Sequence, residues 1–463
     1  MTPGSRVCVV AFTIASAIGC RRVEPERGAP STSASAPIAP GSAVSAHQPG
    51  RMGVAFTADG ARMIVGADVW DVAKGVRLAR LPSTRRSTFS PDGSAVASLG
   101  AGEREGSRRW TLTRLGGATR EVSADAVEWL DAGASLLSKA GGRLALHTAT
   151  HAEPVDLGPA EDQAEWMSSP TALLVVGAKE LVVRDPRTGA ERARGPRTRG
   201  QLALVGDHVA ACDGEELTIA PASSPAEGKR VKLDGVARAC RGAGGRVFVE
   251  TSTGASVVDA ATATTLYAVK LSSSYAQLTP SRDGRHFFAG QRVFDVERRR
   301  EGRLDGDGPA WAASGTWVAV ERESSVAIAD AAADSKIVAW LRGSLLPWRA
   351  GRTPWVDGTR VAPVHDDVLT IWRVPEATPH ARLPLRGWRP GGEVLGYGGV
   401  SVTPALATWF VTQTTDDGRE TRVALARLSD LRTVWLAAPP TGDGALLVTD
   451  ERGAPANVED VLR

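Results

Sequence analysis

The sequence predicts an all-β chain of repeated four-stranded antiparallel units, and three observations carry that prediction. The first is a short apolar strand that recurs along the chain. It reads Val-Trp-Asp-Val at 69–72, Trp-Thr-Leu at 110–112, Leu-Ala-Leu-His at 144–147, Leu-Val-Val-Arg-Asp at 181–185 and Leu-Thr-Ile at 217–219. It returns as Ser-Val-Val-Asp at 256–259, Val-Phe-Asp-Val at 293–296, Val-Ala-Ile-Ala-Asp at 326–330, Leu-Thr-Ile-Trp at 369–372 and Val-Ala-Leu-Ala at 423–426. Neighbouring markers stand 33 to 43 residues apart, and only the last gap is longer. The second is the turn chemistry between them, rich in Asp and in the 50 glycines of the chain, residues that accept turn dihedrals. The third is that no long stretch carries the apolar period of an amphipathic helix. A period of about forty residues with these turns is that of a β-propeller blade. About ten candidate units follow, and because propellers usually have about four to eight blades, one ring or two both remain open.

Taken in order, the chain begins with a processing segment. Arg6 precedes an apolar run of 13 residues, 7–19, too short for a bilayer span of about 20 residues but suited to a signal peptide. The run ends at Ala17-Ile18-Gly19-Cys20. Residues 20–50 are dominated by Ala, Ser and Pro and lack the apolar bulk to offset the entropy of ordering, so they read as a solvated linker. Residues 51–463 then form the propeller.

The first unit shows how each element is specified. Val54-Ala55-Phe56 runs into a Thr57-Ala58-Asp59-Gly60 turn, residues 62–66 and 69–72 are short β-branched-rich strands, and Lys74-Gly75 turns the chain again. Residues 76–81 alternate apolar with basic side chains, as a half-exposed outer strand does.

Phe56-Thr57-Ala58-Asp59-Gly60, Phe89-Ser90-Pro91-Asp92-Gly93 and Trp70-Asp71 resemble the repeats of WD40-type bacterial β-propellers, and residues 51–440 as a whole resemble a propeller lipoprotein. Ala17-Ile18-Gly19-Cys20 resembles a lipobox, which implies cleavage before Cys20 and a lipid on it. Arg21 and Arg22 differ from the aspartate that retains some enteric lipoproteins in the inner membrane, so the resemblance implies an outer-membrane address in the bacterial envelope.

Candidate side chains are few. Phe56, Phe89, Trp129 and Trp311 each stand four residues before a turn glycine, and Trp166 holds the matching place before Ser168-Ser169-Pro170. Since Phe and Trp alternate there, the position reads as packing between blades rather than a ligand channel. His147 and His151 are about 13 Å apart on a strand, too far to share a metal ion, and read as solvated residues near a turn. His365-Asp366-Asp367 and Asp305-Gly306-Asp307-Gly308 read as turns. No Gly-x-Ser-x-Gly, Walker or dinucleotide motif occurs. The Arg-rich run at 184–199 lacks interleaved aromatics and reads as a charged blade edge. With Cys8 removed and Cys20 lipidated, Cys212 and Cys240 remain. An exported compartment permits a disulfide between them, and two isolated buried thiols are the alternative.

Beyond Leu345 the repeat loosens, and residues 348–367 and 387–417 read as long loops. Trp348, Arg349, Arg352, Trp355, Trp388 and Arg389 fall there, and Trp with Arg is the pairing enriched at binding hot spots. They are candidate partner-binding residues, with packing of an imperfect last blade as the alternative. The net charge of +3 excludes a global basic field for nucleic acid. The expected protein is a lipid-anchored, non-enzymatic binding or scaffolding module in the envelope, contacting an envelope protein, with no cofactor or metal. A propeller enzyme of lyase, hydrolase or quinoprotein type, and an envelope-assembly factor, are the rival readings.

Overall fold

The computed structural model describes residues 54–462, apart from 58, 83, 101–107, 131–132, 149–152, 160–164, 178, 272–277, 346–353, 389–392, 416–417 and 438–446. The expected signal peptide and linker lie outside the described residues, Cys20 among them. Ten antiparallel sheets follow one another along the chain, each built from consecutive strands. They are the blades of one ten-bladed propeller: residues 54–80, 84–123, 126–159, 165–196, 201–232, 237–270, 279–303, 307–342, 344–384 and 394–449. Of the two ring arrangements left open by the repeat count, the structure has the single, larger ring.

The repeated turn explains why the sequence folds this way locally. In blade 1 the Thr57 hydroxyl donates to Asp59 Oδ1 at 2.6 Å and accepts from the Arg62 amide at 2.9 Å. Ser90 repeats both bonds with Asp92 and the Ala95 amide, and Ser281 repeats them with Asp283 and the His286 amide. A hydroxyl residue, then Asp, then Gly thus closes the link between first and second strands. Gly93 follows at φ +69°, and a Cβ there would stand 2.9 Å from the Thr57 methyl of the preceding blade. Only glycine permits both the dihedral and the approach.

The core is divided among the interfaces between blades. Ile64 and Val69 of blade 1 meet Phe89 and Val96 of blade 2; Phe248 and Val257 of blade 6 meet Phe287 and Phe294 of blade 7. The last interface closes the circle, with Phe56 and Met63 of blade 1 packed against Leu406 and Leu425 of blade 10. Second and third strands supply most of these residues, which accounts for their near-continuous apolar runs such as Leu173–Val176.

Blades 9 and 10 depart from the pattern. In blade 9 the described part of the first strand pairs through two isolated bridges, Ser344 to Val364 and Trp355 to Val361. The second strand is split into Arg360–Val361 and Val364–His365, with Pro363, which cannot donate to a ladder, in the gap. Blade 10 has long strands instead: Val394–Val402, Leu406–Thr415 and Gly418–Arg427, of 9, 10 and 10 residues. Much of the stretch expected as loop at 387–417 is therefore strand. Alternation alone does not separate it from loop, because Gly and Thr crowd the run from 394 to 415.

Candidate functional site

The aromatic register sits between blades, and its indoles hydrogen-bond across four of the junctions. Trp129 Nε1 of blade 3 donates to the Thr88 carbonyl of blade 2 at 3.4 Å, and Trp311 of blade 8 donates to the Thr279 carbonyl of blade 7 at 3.1 Å. Trp166 of blade 4 reaches Glu128 Oε2 of blade 3 at 2.7 Å. Each indole thus binds one blade back, beside or in the neighbouring first strand. Trp355 belongs to this set, donating to the Ala310 carbonyl of blade 8 at 2.9 Å. Sequence spacing missed it because its turn is one residue shorter, with Gly358 three positions on.

Of the residues expected to meet a partner, Trp355 and Trp388 are both buried at 5% exposure in the cluster joining blades 8, 9 and 10. Trp388 lies 5.9 Å from Trp435, which lies 5.9 Å from Trp409, and the Arg422 guanidinium covers the Trp388 ring at 5.0 Å. Trp348, Arg349, Arg352 and Arg389 lie outside the described residues. Besides Leu431 and Leu447 elsewhere in blade 10, the large apolar side chains exposed here among the described residues are Val394 and Leu395, about two-fifths exposed at the start of its first strand. Beside them the hairpin Leu406–Thr415 and Gly418–Arg427 stays paired out to Thr415 and Gly418, whereas the next strand joins only Val423 to Ala426. The first strand accompanies this hairpin out to the buried Gln413. Thr414 and Arg419 are exposed on it.

Cys212, in the second strand of blade 5, and Cys240, in the first strand of blade 6, have Cα atoms 6.1 Å apart and sulfurs in bonding contact. A flat 10 Å separation between packed sheets would forbid this. The first strands of blades 5 and 6 approach more closely than flat packed sheets, and the Gln201 side chain bridges them, donating to the Arg238 carbonyl and accepting from the Cys240 amide.

His147 corrects an expectation. It is not solvated but 4% exposed, with Nε2 2.8 Å from Ser138 Oγ on the adjoining strand. Burial, with the Arg120 charge nearby, lowers its pKa from 6.5 to about 4, so it is neutral at pH 7. The side chain had to turn inward because His147 pairs with Leu136, whose face packs toward blade 2. A Ser–His pair can serve a nucleophile only where substrate reaches the hydroxyl, and Ser138 is 4% exposed. His151 lies outside the described residues. Asp366 and Asp367 form a two-residue hairpin turn with φ of 47° and 59°.

The Arg-rich run lies on the outer edge of blade 4 and is paired within that blade. Arg192 meets Asp185, and Arg194 meets both Glu180 and Glu191. Among the described residues no group of three or more His, Cys, Asp or Glu side chains could hold a metal ion.

Fold and site together define a ten-bladed propeller with one irregular arc. No family model matches the chain, and no curated relative does. Among solved structures it is similar to Hsv2p of Kluyveromyces lactis, at 11% identity over 74% of this chain and 97% of that one, with a TM-score of 0.34. It is also similar to apo AztD from Citrobacter koseri, at 12% identity over 63% and 94%, with a TM-score of 0.34. A third is the dihydro-heme d1 dehydrogenase NirN in complex with DHE, at 14% identity over 90% and 77%, with a TM-score of 0.35. Function does not follow from likeness at this level, since propellers host many activities.

Proposed function

We propose that this chain is a lipid-anchored propeller of the bacterial cell envelope that binds a partner protein and performs no catalysis, with blade 10 as the binding element. The long hairpin of blade 10, with Thr414 and Arg419 exposed on it and Val394 and Leu395 exposed beside its outer end, carries this reading. Strands longer than those of the other blades, with apolar side chains in water near the hairpin's tip, suit recognition rather than stability. The envelope address rests on the apolar run and Ala17-Ile18-Gly19-Cys20, and the close approach of Cys212 and Cys240 agrees with an oxidising compartment.

The test has two readouts on the full-length protein. Cys20→Ala should move it from the membrane to the soluble fraction, because one lipid group supplies the anchor. Leu395→Asp should leave melting unchanged and abolish the in-cell cross-links formed by the wild type. Unchanged cross-links with Leu395→Asp would remove blade 10 from the interface. Unchanged fractionation with Cys20→Ala would remove the lipid anchor.

A further inference from the structure

Nine of the ten junctions between neighbouring blades are crossed by the chain as it passes from one sheet to the next. The junction between blades 10 and 1 is different. Among the described residues blade 1 is made of residues 54–80 and blade 10 of residues 394–449, and no strand is exchanged between the two. On the mouth where the first strands end, the turns touch: a Cβ on Gly60 would stand 2.7 Å from Thr403 Cβ. Beside that contact is a cavity of about 310 Å³, bounded by Asp59, Val72, Thr403, Arg427 and Leu462 among others.

The residues after blade 10 run into this junction. Asp450 closes a turn by accepting from the amides of Arg452 and Ala454 at 2.8 and 2.9 Å. Pro455 bridges to Thr449, and the Ala456 amide donates to the Val448 carbonyl at 3.0 Å, which ties the segment to the outermost strand of blade 10. It then turns through the short helix Glu459–Leu462. Val458 and Val461, at 6% and 0% exposure, enter the same apolar cluster as Val54, Phe56, Met63, Trp70 and Val72 of blade 1 and Leu406, Val423 and Leu425 of blade 10.

We infer that residues 450–462 are a clasp that holds the propeller ring shut at the junction no loop crosses. The clasp is hydrogen-bonded to blade 10 and places Val461 in the cluster shared with blade 1, so it substitutes side-chain packing for the missing covalent connection. Loss of that packing opens this junction first and leaves the others closed, since each of them keeps its loop.

Hydrogen exchange of the full chain, followed by mass spectrometry on peptides from every blade, tests this. In Val461→Ala, peptides covering residues 54–65 and 406–427 should exchange about tenfold faster than in the wild type or more, as a locally lowered opening free energy requires. Peptides covering 209–221 and 246–259, from blades 5 and 6, should exchange at the wild-type rate. Val461→Asp should enlarge the same local effect. Acceleration spread evenly over all ten blades would overturn the clasp, as would unchanged exchange at residues 54–65. Val461→Ala, which removes two methyl groups and adds no charge, keeps the outcome readable if the Asp variant does not fold.

Discussion

Blades 8 and 9 are neighbours built on opposite terms. Blade 8 has four regular strands, Asp307–Trp311, Trp317–Arg322, Ser325–Asp330 and Lys336–Arg342. Among the described residues blade 9 shows two bridges of its first ladder, and Pro363 divides its second strand. Yet Trp355 in blade 9 makes the same bond to the blade before it as Trp311 does in blade 8. What the ring retains where the sheet fails is the contact between blades, not the hydrogen bonds within one. A blade can keep its place with an interrupted second strand if an aromatic still fills the junction and its indole still finds a carbonyl.

The sharpest way to break that comparison is to remove the aromatic from each blade. Trp355→Ala and Trp311→Ala should each cost about 3–5 kcal/mol in urea unfolding, the range for losing a large core aromatic. Trp355→Ala should cost the more of the two, because Trp355 is buried whereas Trp311 is only partly so. A clearly smaller loss for Trp355 would mean that blade 9 is held by something else.

The junction of blades 5 and 6 lies between regular sheets and has its own candidate staple. If Cys212 and Cys240 are bonded, reduction should lower stability by about 3–4 kcal/mol on the chain-entropy model for a 28-residue separation. Mass spectrometry that finds both thiols alkylated in unreduced, unfolded protein would dispose of the bond. Contacts alone would then suffice there, as at blades 7 and 8.

Buried His147 gives the junction of blades 2 and 3 a pH dependence. Its native pKa is depressed to about 4 from 6.5, so above 6.5 the ring is neutral in both folded and unfolded chains and costs nothing. As pH falls below 6.5 the unfolded chain takes up a proton that the native one refuses. Stability is therefore lost between about 6.5 and 4, to a total on the order of 3 kcal/mol. His147→Leu should flatten the stability profile over that window; an unchanged profile would assign the acid sensitivity elsewhere.

The mildest change separates the indole bond from the aromatic volume. Trp129→Phe should cost only about 1 kcal/mol for the lost bond to Thr88, because Phe already fills the equivalent place in blades 1 and 2. A loss as large as that of Trp129→Ala would show that the bond matters more than the filling.

These contrasts also mark what the sequence makes legible. Strand and turn signals are local, so the blades with Asp-Gly turns and an aromatic four residues earlier can be read one at a time. Trp129 and Trp311 are recognisable as packing groups on that basis. Trp355 is not, because its shorter turn breaks the spacing while the three-dimensional position is kept. His147 was misplaced for a related reason: alternation places it on a face, but only the neighbouring blade decides whether that face is buried. The long strands of blade 10 are hidden by Gly and Thr, and the fate of residues 450–462 depends on a junction between chain ends that no local pattern describes.

Because every sheet pairs only with itself, hydrogen bonding does not fix how many blades the circle holds. That number is decided by the taper of each wedge, the small angle by which a sheet and its filling diverge from axis to rim. Phe89, Trp129 and Trp311, packed across three of the junctions, act as shims in that taper. Their bulk holds neighbouring sheets apart, and ten such wedges complete the circle. Changing the volume of those shims would change the angle at which neighbouring sheets diverge. In this architecture the count of repeats and the volume of one aromatic layer must therefore change together.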